Sequence, residues 1–362
     1  MPSVNEELIE SAFLAEIRRF GATNEVVAEI KRVIREEVLP DIAETLNRLP
    51  FDQLTAQDIR LLDLRNAITD AMGWDRVTSK LEQATIDAAR SELDDSYREF
   101  RNALPFEWEP TLIAPAQLVN IVMDRPFNNK IMREWFSELQ ATSQENIYEA
   151  FRIGMIEGKS IPQMTKDLLL REYGAFTTGG ISRVFDNAEA VARTATTYSS
   201  VQTRLAFADQ NSDVIKGVQY VATLDDRTTF ICMSLHGDVY SLDDVGPIPP
   251  QHYNCRSTLA YVTKSWEEMG ITGAREVEFF QRYRVTDATR MDGKIATPPD
   301  FDVWLKDQPV GTQNTLLGPV RAQMYRDGKI ESVKDLVDAD GATKLLDQFG
   351  VNRAGNPLKD AG

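Results

Sequence analysis

Both cysteines and both histidines of this 362-residue chain fall between positions 232 and 255: Cys232, His236, His252 and Cys255. Metal, thiol and imidazole chemistry are therefore confined to that window, and whatever fold it adopts must serve them. Two soft-ligand pairs separated by a loop is the sequence pattern of a metal site. Cys232 and His236 stand four apart, a spacing that places both on one face of a helix. His252 and Cys255 stand three apart in Pro249-Pro250-Gln251-His252-Tyr253-Asn254-Cys255-Arg256, where two prolines stiffen the approach. A helix carrying the first pair, facing a loop carrying the second, would close four ligands around one structural Zn²⁺. Asp226 is a reserve ligand in place of His236. Three other uses of the same residues stand beside this one: a Cys232–Cys255 disulfide in an oxidising compartment, two buried thiols with incidental histidines, and a thiol enzyme pairing Cys232 with His252. The last lacks a recognisable orienting group or oxyanion motif, and the zinc-deaminase signature is absent.

The flanking pattern defines a small β element. Residues 217–223, 238–242 and 257–262 are short, rich in Val, Tyr and Thr, and bounded by Gly, Pro and Asp, so they are expected to pair as an antiparallel sheet. Between the first two, Asp225 and Asp226 supply an N-cap and Gly237 a stop for one short helix. Arg256 is placed to pair with a carboxylate of that cap.

Everything else reads helical. From Asn24, apolar residues recur at Val27, Ile30, Ile34, Val38, Ile42, Leu46 and Leu49, with Pro40 expected to kink or split the helix. A second stripe runs from Asp75 to Leu104 and stops at Pro105. Residues 106–115 form a linker, followed by helices at 116–123 and 128–157. Ser160 and Gln163 form a capping box that opens a helix to about Tyr173. A GAFTTGG loop leads to a helix from Asp186 to about Ala208. After the sheet, helices are expected at 264–283, 301–308, 312–327 and 332–348, with turns at Gly293, Pro309, Gly328 and Gly341. No internal repeat is evident. The expected class is mainly α with a small antiparallel β element (α+β). Three regions follow: an N-terminal helical region at 1–115, a domain at 116–262 holding the Cys/His core, and a C-terminal helical region at 263–362.

With 56 acidic against 40 basic residues the net charge is −16, the wrong sign for a protein that coats phosphate backbone. No apolar run reaches the roughly 18 residues that a membrane span requires. MPSVNEELIE lacks an export signal, so synthesis in a cytoplasm is expected. Phosphate-loop, Gly-x-Ser-x-Gly and HExxH motifs are absent, and the residues suggest no enzyme.

Ala192-Arg193-Thr194, Leu224-Asp225-Asp226-Arg227-Thr228, Cys232, Leu235, Gly237 and Pro249-Pro250-Gln251-His252-Tyr253-Asn254-Cys255-Arg256 together resemble the phage Mu F-like minor head proteins, also described as phage head morphogenesis proteins. The likeness extends over about 145–262 and includes Glu157-Gly158-Lys159-Ser160-Ile161-Pro162. The stretch Trp304 to Lys329 resembles a helical segment that follows this domain in many members. Two positions depart from the family pattern: Ala195 where a Glu is common, and Ser257 where a second Cys is frequent. His236 falls at a variable position, so Cys232, His252 and Cys255 with Asp226 stand as an alternative to the four-residue Cys/His set. The resemblance implies a low-copy virion protein of the phage head. Its partners would be the portal and the major capsid or scaffold protein, with local contact to packaged DNA. It would act in head assembly, genome packaging or DNA delivery, the last including ejection with the genome.

Overall fold

The first helix starts twenty residues ahead of the stripe that announces it. The structure, a computed structural model, describes residues 4–48, 57–104, 106–127, 129–169, 180–225, 227–270 and 301–358. Helix α1 (Val4–Val33) buries Leu8, Ala12 and Phe13, and carries Glu6 and Glu7 in its first turn and Lys31 and Arg32 in its last, the arrangement that complements a helix dipole. It passes into a five-residue π-turn (Ile34–Val38) and then α2 (Leu39–Arg48). Pro40 lacks an N–H, and its ring would clash with the carbonyl four residues back in a regular helix. The wider turn, in which the Leu39 N–H reaches the Ile34 carbonyl, absorbs the misfit where a kink or break was expected.

Helices α3 (Gln57–Ala71), α4 (Asp75–Ala103), α5 (Pro115–Asp124), α6 (Met132–Ile156), α7 (Ile161–Leu169) and α8 (Gly180–Gln210) follow. The Ser160 box forms as expected: the Gln163 side chain accepts from the Ser160 N–H at 2.8 Å, and the Gln163 N–H points back to the Ser160 hydroxyl at 3.4 Å. The expected helix end near Tyr173, the GAFTTGG loop, Leu49, most of the helix placed at 264–283 and the turn at Gly293 lie outside the described residues.

The chain forms two units, neither of them a contiguous stretch. One comprises Phe20–Ala89 and Pro115–Ser199. In it, polar residues of α8 are satisfied within the fold: Thr194 returns its hydroxyl to the Ala190 carbonyl at 2.7 Å, and Ser199 donates to the Thr85 carbonyl at 2.6 Å. Arg193 pairs with Glu189 at 2.8 Å and lies over the Phe20 ring at 4.8 Å.

The other unit comprises Met1–Arg19, Arg90–Ala114 and Ser200–Gly362. Its sheet has the order β2-β1-β3, all antiparallel, with β1 at Ile215–Val221, β2 at Val239–Ser241 and β3 at Thr258–Thr263. Val218 pairs with Tyr240 on one side and Tyr261 on the other. The expected strands are therefore present, and the fold is mainly helical with one small sheet. Ala12 and Phe13 of α1 pack on Val221 and Ala260 of the sheet.

Behind β3 lies a buried charge cluster. Arg204 of α8 is fully buried, with its guanidinium 5.0 Å above the Tyr261 ring. It donates to Glu99 at 3.0 Å and meets Glu92 at 2.6 Å, both from α4. Ser96, one turn from each, shares a 2.6 Å hydrogen bond with the Tyr261 hydroxyl.

The C-terminal stretch differs most from expectation. After α10 (Phe301–Lys306), the helix expected over 312–327 is two helices, α11 (Val310–Leu317) and α12 (Pro319–Arg326), separated at Gly318. No helix spans 332–348. Instead a 3₁₀ turn (Val333–Leu336) leads into a loop where the Asp338 carboxylate accepts from the N–H groups of Asp340 and Ala342. A second 3₁₀ turn (Leu346–Phe349) leads into a loop where Asn352 does the same for Ala354 and Asn356. Gly341 and Gly355, fourteen residues apart, take the positive φ that each loop needs (78° and 81°). Lys344 N–H to Leu336 O, and Leu358 N–H to Gly350 O, close the two loops in the same way. The chain thus contains a structural repeat that its residue identities conceal, since Asp and Asn serve equally in such turns.

Burial pushes the Glu99 carboxyl up to about 7 from 4.5, against the pull of Arg204 and with the help of Glu92 and Asp95. Because the folded-state value lies above the unfolded one, this group's contribution to stability is fully present below 4.5 and is lost as pH rises through about 7. Glu99→Gln is expected to remove about 3 kcal/mol of pH dependence across that window. Unfolding midpoints in urea at pH 5 and pH 7.5 check this: wild type should lose more stability than the variant between the two.

Candidate metal centre

Helix α9 (Phe230–Leu235) carries Cys232 inward from the end of β1, and the loop before β3 carries His252 and Cys255 to meet it. Both thiols are 1% exposed. Cys232 Sγ lies 3.3 Å from His252 Nε2 and 3.7 Å from Cys255 Sγ, and the three ligand atoms all fall within 4.8 Å of one another. The sulfurs are too far apart to be bonded, and both cysteines are free. On a tetrahedral zinc, two sulfurs would lie about 3.8 Å apart, and a sulfur and a nitrogen about 3.5 Å. The donor set and its spacing fit such an ion.

Local backbone explains the convergence. Asn254 sits at φ 60°, a left-handed conformation that asparagine tolerates better than most residues. With the Cys255 N–H bonded to the His252 carbonyl at 3.2 Å, this turns residues 252 and 255 toward the same point. The Tyr253 carbonyl lies 2.8 Å from His252 Nδ1. A carbonyl can only accept, so the proton sits on Nδ1 and the Nε2 lone pair faces the sulfurs, as a metal ligand requires.

Asp225, Arg227, Thr228 and Arg256 hold the two ligand-bearing segments together. The Arg256 guanidinium forms a two-pronged pair with the Asp225 carboxylate, one contact at 2.6 Å, realising the partnership expected from their positions. Asp225 also accepts from the Arg227 N–H at 2.9 Å, and Thr223 donates to the Arg256 carbonyl at 2.7 Å. The Thr228 hydroxyl returns to the Thr223 carbonyl. Asp225 therefore caps a turn, whereas the residue that precedes α9 is Thr229.

That shift decides the place of His236. The helix expected to span Asp225 to Gly237 is only six residues long, and His236 follows it in an extended conformation (φ −60°, ψ 127°). Four-residue spacing no longer aligns it with Cys232. Its Nδ1 accepts the Ala222 N–H at 3.0 Å, and its ring meets Phe301 edge-on at 6.5 Å. The group of three consists of Cys232, His252 and Cys255. Asp226, the reserve ligand, lies outside the described residues.

The hydroxyls around the centre carry no motif. Tyr220 of β1 donates to Cys232 at 3.3 Å. Its only sequence signal is an inward position on a strand. The Cys255 thiol, with Ser257, Thr229 and Tyr220, stabilises a Cys232 thiolate and lowers its pKa to about 6. The same contact, together with burial, raises Cys255 to about 12. Burial opposes a charge on His252, but its contact with Cys255 and the Tyr253 carbonyl outweighs it, so the imidazole pKa is raised. The first proton leaves the thiol pair readily, as metal binding at neutral pH demands.

Because Asn254 is held at positive φ, Asn254→Val is expected to cost about 1–2 kcal/mol, while Asn254→Gly should stay within a few tenths. Thermal unfolding of the two variants checks this. Equal losses would show that the asparagine side chain, not the backbone, is what matters.

No curated protein and no solved structure matches this chain. The sequence of residues 145–260 matches the family model described as Phage Mu protein F like protein, so the chain carries a Mu F-like domain that includes the whole Cys/His centre.

Proposed function

We propose that the protein is a minor head protein of a tailed phage, built into the virion during head assembly. The observation that carries this reading is the Mu F-like match over residues 145–260. Its most distinctive residues, Asp225, Cys232, His252, Cys255 and Arg256, are the ones that assemble the centre. The portal is the first candidate partner, with the major capsid or scaffold protein next. The amphipathic helices of residues 1–115 and 116–208 offer surfaces for such contacts. A net charge of −16 favours binding to proteins over coating the genome. No helix among the described residues is long and apolar enough to cross a membrane.

The centre would hold one structural Zn²⁺ through Cys232, His252 and Cys255. Such an ion supplies a cross-link between α9 and the loop before β3, which a sheet of three short strands cannot supply from its own core. The burial of both thiols supports a structural rather than a catalytic use, because a nucleophile must meet its substrate.

Two measurements test these readings. Mass spectrometry of purified particles should find the protein at low copy number; its absence from both mature particles and procapsids would sink the head-protein reading. Elemental analysis of protein purified without chelator should give one zinc per chain. Zinc well below one equivalent, with two thiols titrating freely, would overturn the metal reading and leave two buried cysteines.

A further inference from the structure

Helix α9 has two working faces. One directs Cys232 at His252 and Cys255. The other directs Met233, with Phe230 beside it, into the hydrophobic core of residues 301–358, a cluster that includes Phe301, Trp304 and Leu336. The Arg321 guanidinium lies over the Phe230 ring at 5.4 Å, and Lys334 reaches Asp238, just past the helix, at 2.6 Å. Leu224, next to the Asp225–Arg256 pair, is buried in the same core. The docking surface for residues 301–358 is thus made of the segments that the Cys/His centre ties down.

A six-residue helix has no stability of its own; nucleation costs more than one turn returns. Its position is set by what grips it from either side. From the centre's side, the grip without a metal is a set of thiol and imidazole contacts at 3.3 and 3.7 Å. With a metal, it is coordinate bonds to a loop that is itself locked by Arg256.

We propose that metal binding at Cys232, His252 and Cys255 is the latch that docks residues 301–358 onto the Mu F-like domain, with α9 as the element through which the two are coupled. The inference rests on the zinc reading above. By linkage the coupling is reciprocal: whatever factor metal adds to docking, docking adds to metal affinity.

The test is hydrogen–deuterium exchange on the full chain as purified, after chelation and after Zn²⁺ is restored. Peptides from 301–336 should exchange about tenfold faster without metal and recover with it, while those from 132–156 stay unchanged. A second arm measures zinc affinity by competition with a chromophoric chelator in wild type and in Phe230→Ala, whose ring packs on the 301–358 core and under Arg321. The variant should bind zinc more weakly, by a factor comparable to the change in exchange. If zinc binds and neither quantity moves, the latch is overturned and the metal site stands. If no zinc binds, both fall. Should Phe230→Ala fail to fold, the chelation arm on wild type decides alone.

Discussion

A guanidinium shut away from water organises the sheet-bearing unit. Removing Arg204 from solvent is costly, and the surrounding structure is what makes it tolerable: two carboxylates from α4, and the face of Tyr261. Burial weakens the charge on Arg204, but Glu92 and Glu99 more than restore it. Burial raises the pKa of both glutamates against the pull of Arg204, and repulsion between neighbouring carboxylates adds to it. Glu16, on α1, is buried near the same group and is pushed up to about 7. The arrangement fixes α4, α8 and β3 in one register, because a shift of any of them would strand a charge. Tyr261 is committed from both ends, its ring under Arg204 and its hydroxyl on Ser96.

The Cys/His centre, whose second ligand segment leads into β3, is built by different means. Its ligands come from a short helix and a turn, neither rigid alone. Rigidity comes from the hydrogen bonds around them. Asp225 and Arg256 join the two ligand segments, Thr228 and Thr223 close the turn between them, and Asn254 supplies a backbone conformation. The residues that surround the ligands are therefore scaffold, and the reactive groups are only three.

Much of this was legible. The three strands announce themselves by β-branched and aromatic residues between turn formers, the Ser160–Gln163 box by its spacing, and the place of the Cys/His centre by the confinement of every cysteine and histidine to one window. What was not legible has physical causes. His236 lies off the face that carries Cys232 because the length of α9 depends on tertiary packing, and a single turn's difference removes a residue from a helix face. The first turns of α1 carry Glu6 and Glu7 beside small residues such as Ala12 and Ala15, so their stripe is faint although buried. Arg204 looks like any surface arginine, since nothing local says that α4 will bring two glutamates to it. Residues 332–348 have helical periodicity, but the Asp338 side chain accepts from the Asp340 and Ala342 N–H groups and turns the backbone out of a helix.

The π-turn before Pro40 explains a spacing that a regular helix cannot. Ile30, Ile34, Val38, Ile42 and Leu46 are all buried, at 1% exposure or less, and stand four residues apart throughout. In a regular α-helix each such step overshoots a full turn by about 40°, so the four steps would spiral over nearly half the circumference. A turn closed by an i→i+5 bond holds one extra residue, about 100° of rotation, and takes back most of that drift. The stripe stays on one side because the helix is locally underwound. Deleting one residue between Ile34 and Val38 would restore an unbroken α-helix and leave Ile42 and Leu46 facing the core, because the π-turn is where the chain stores its one extra residue.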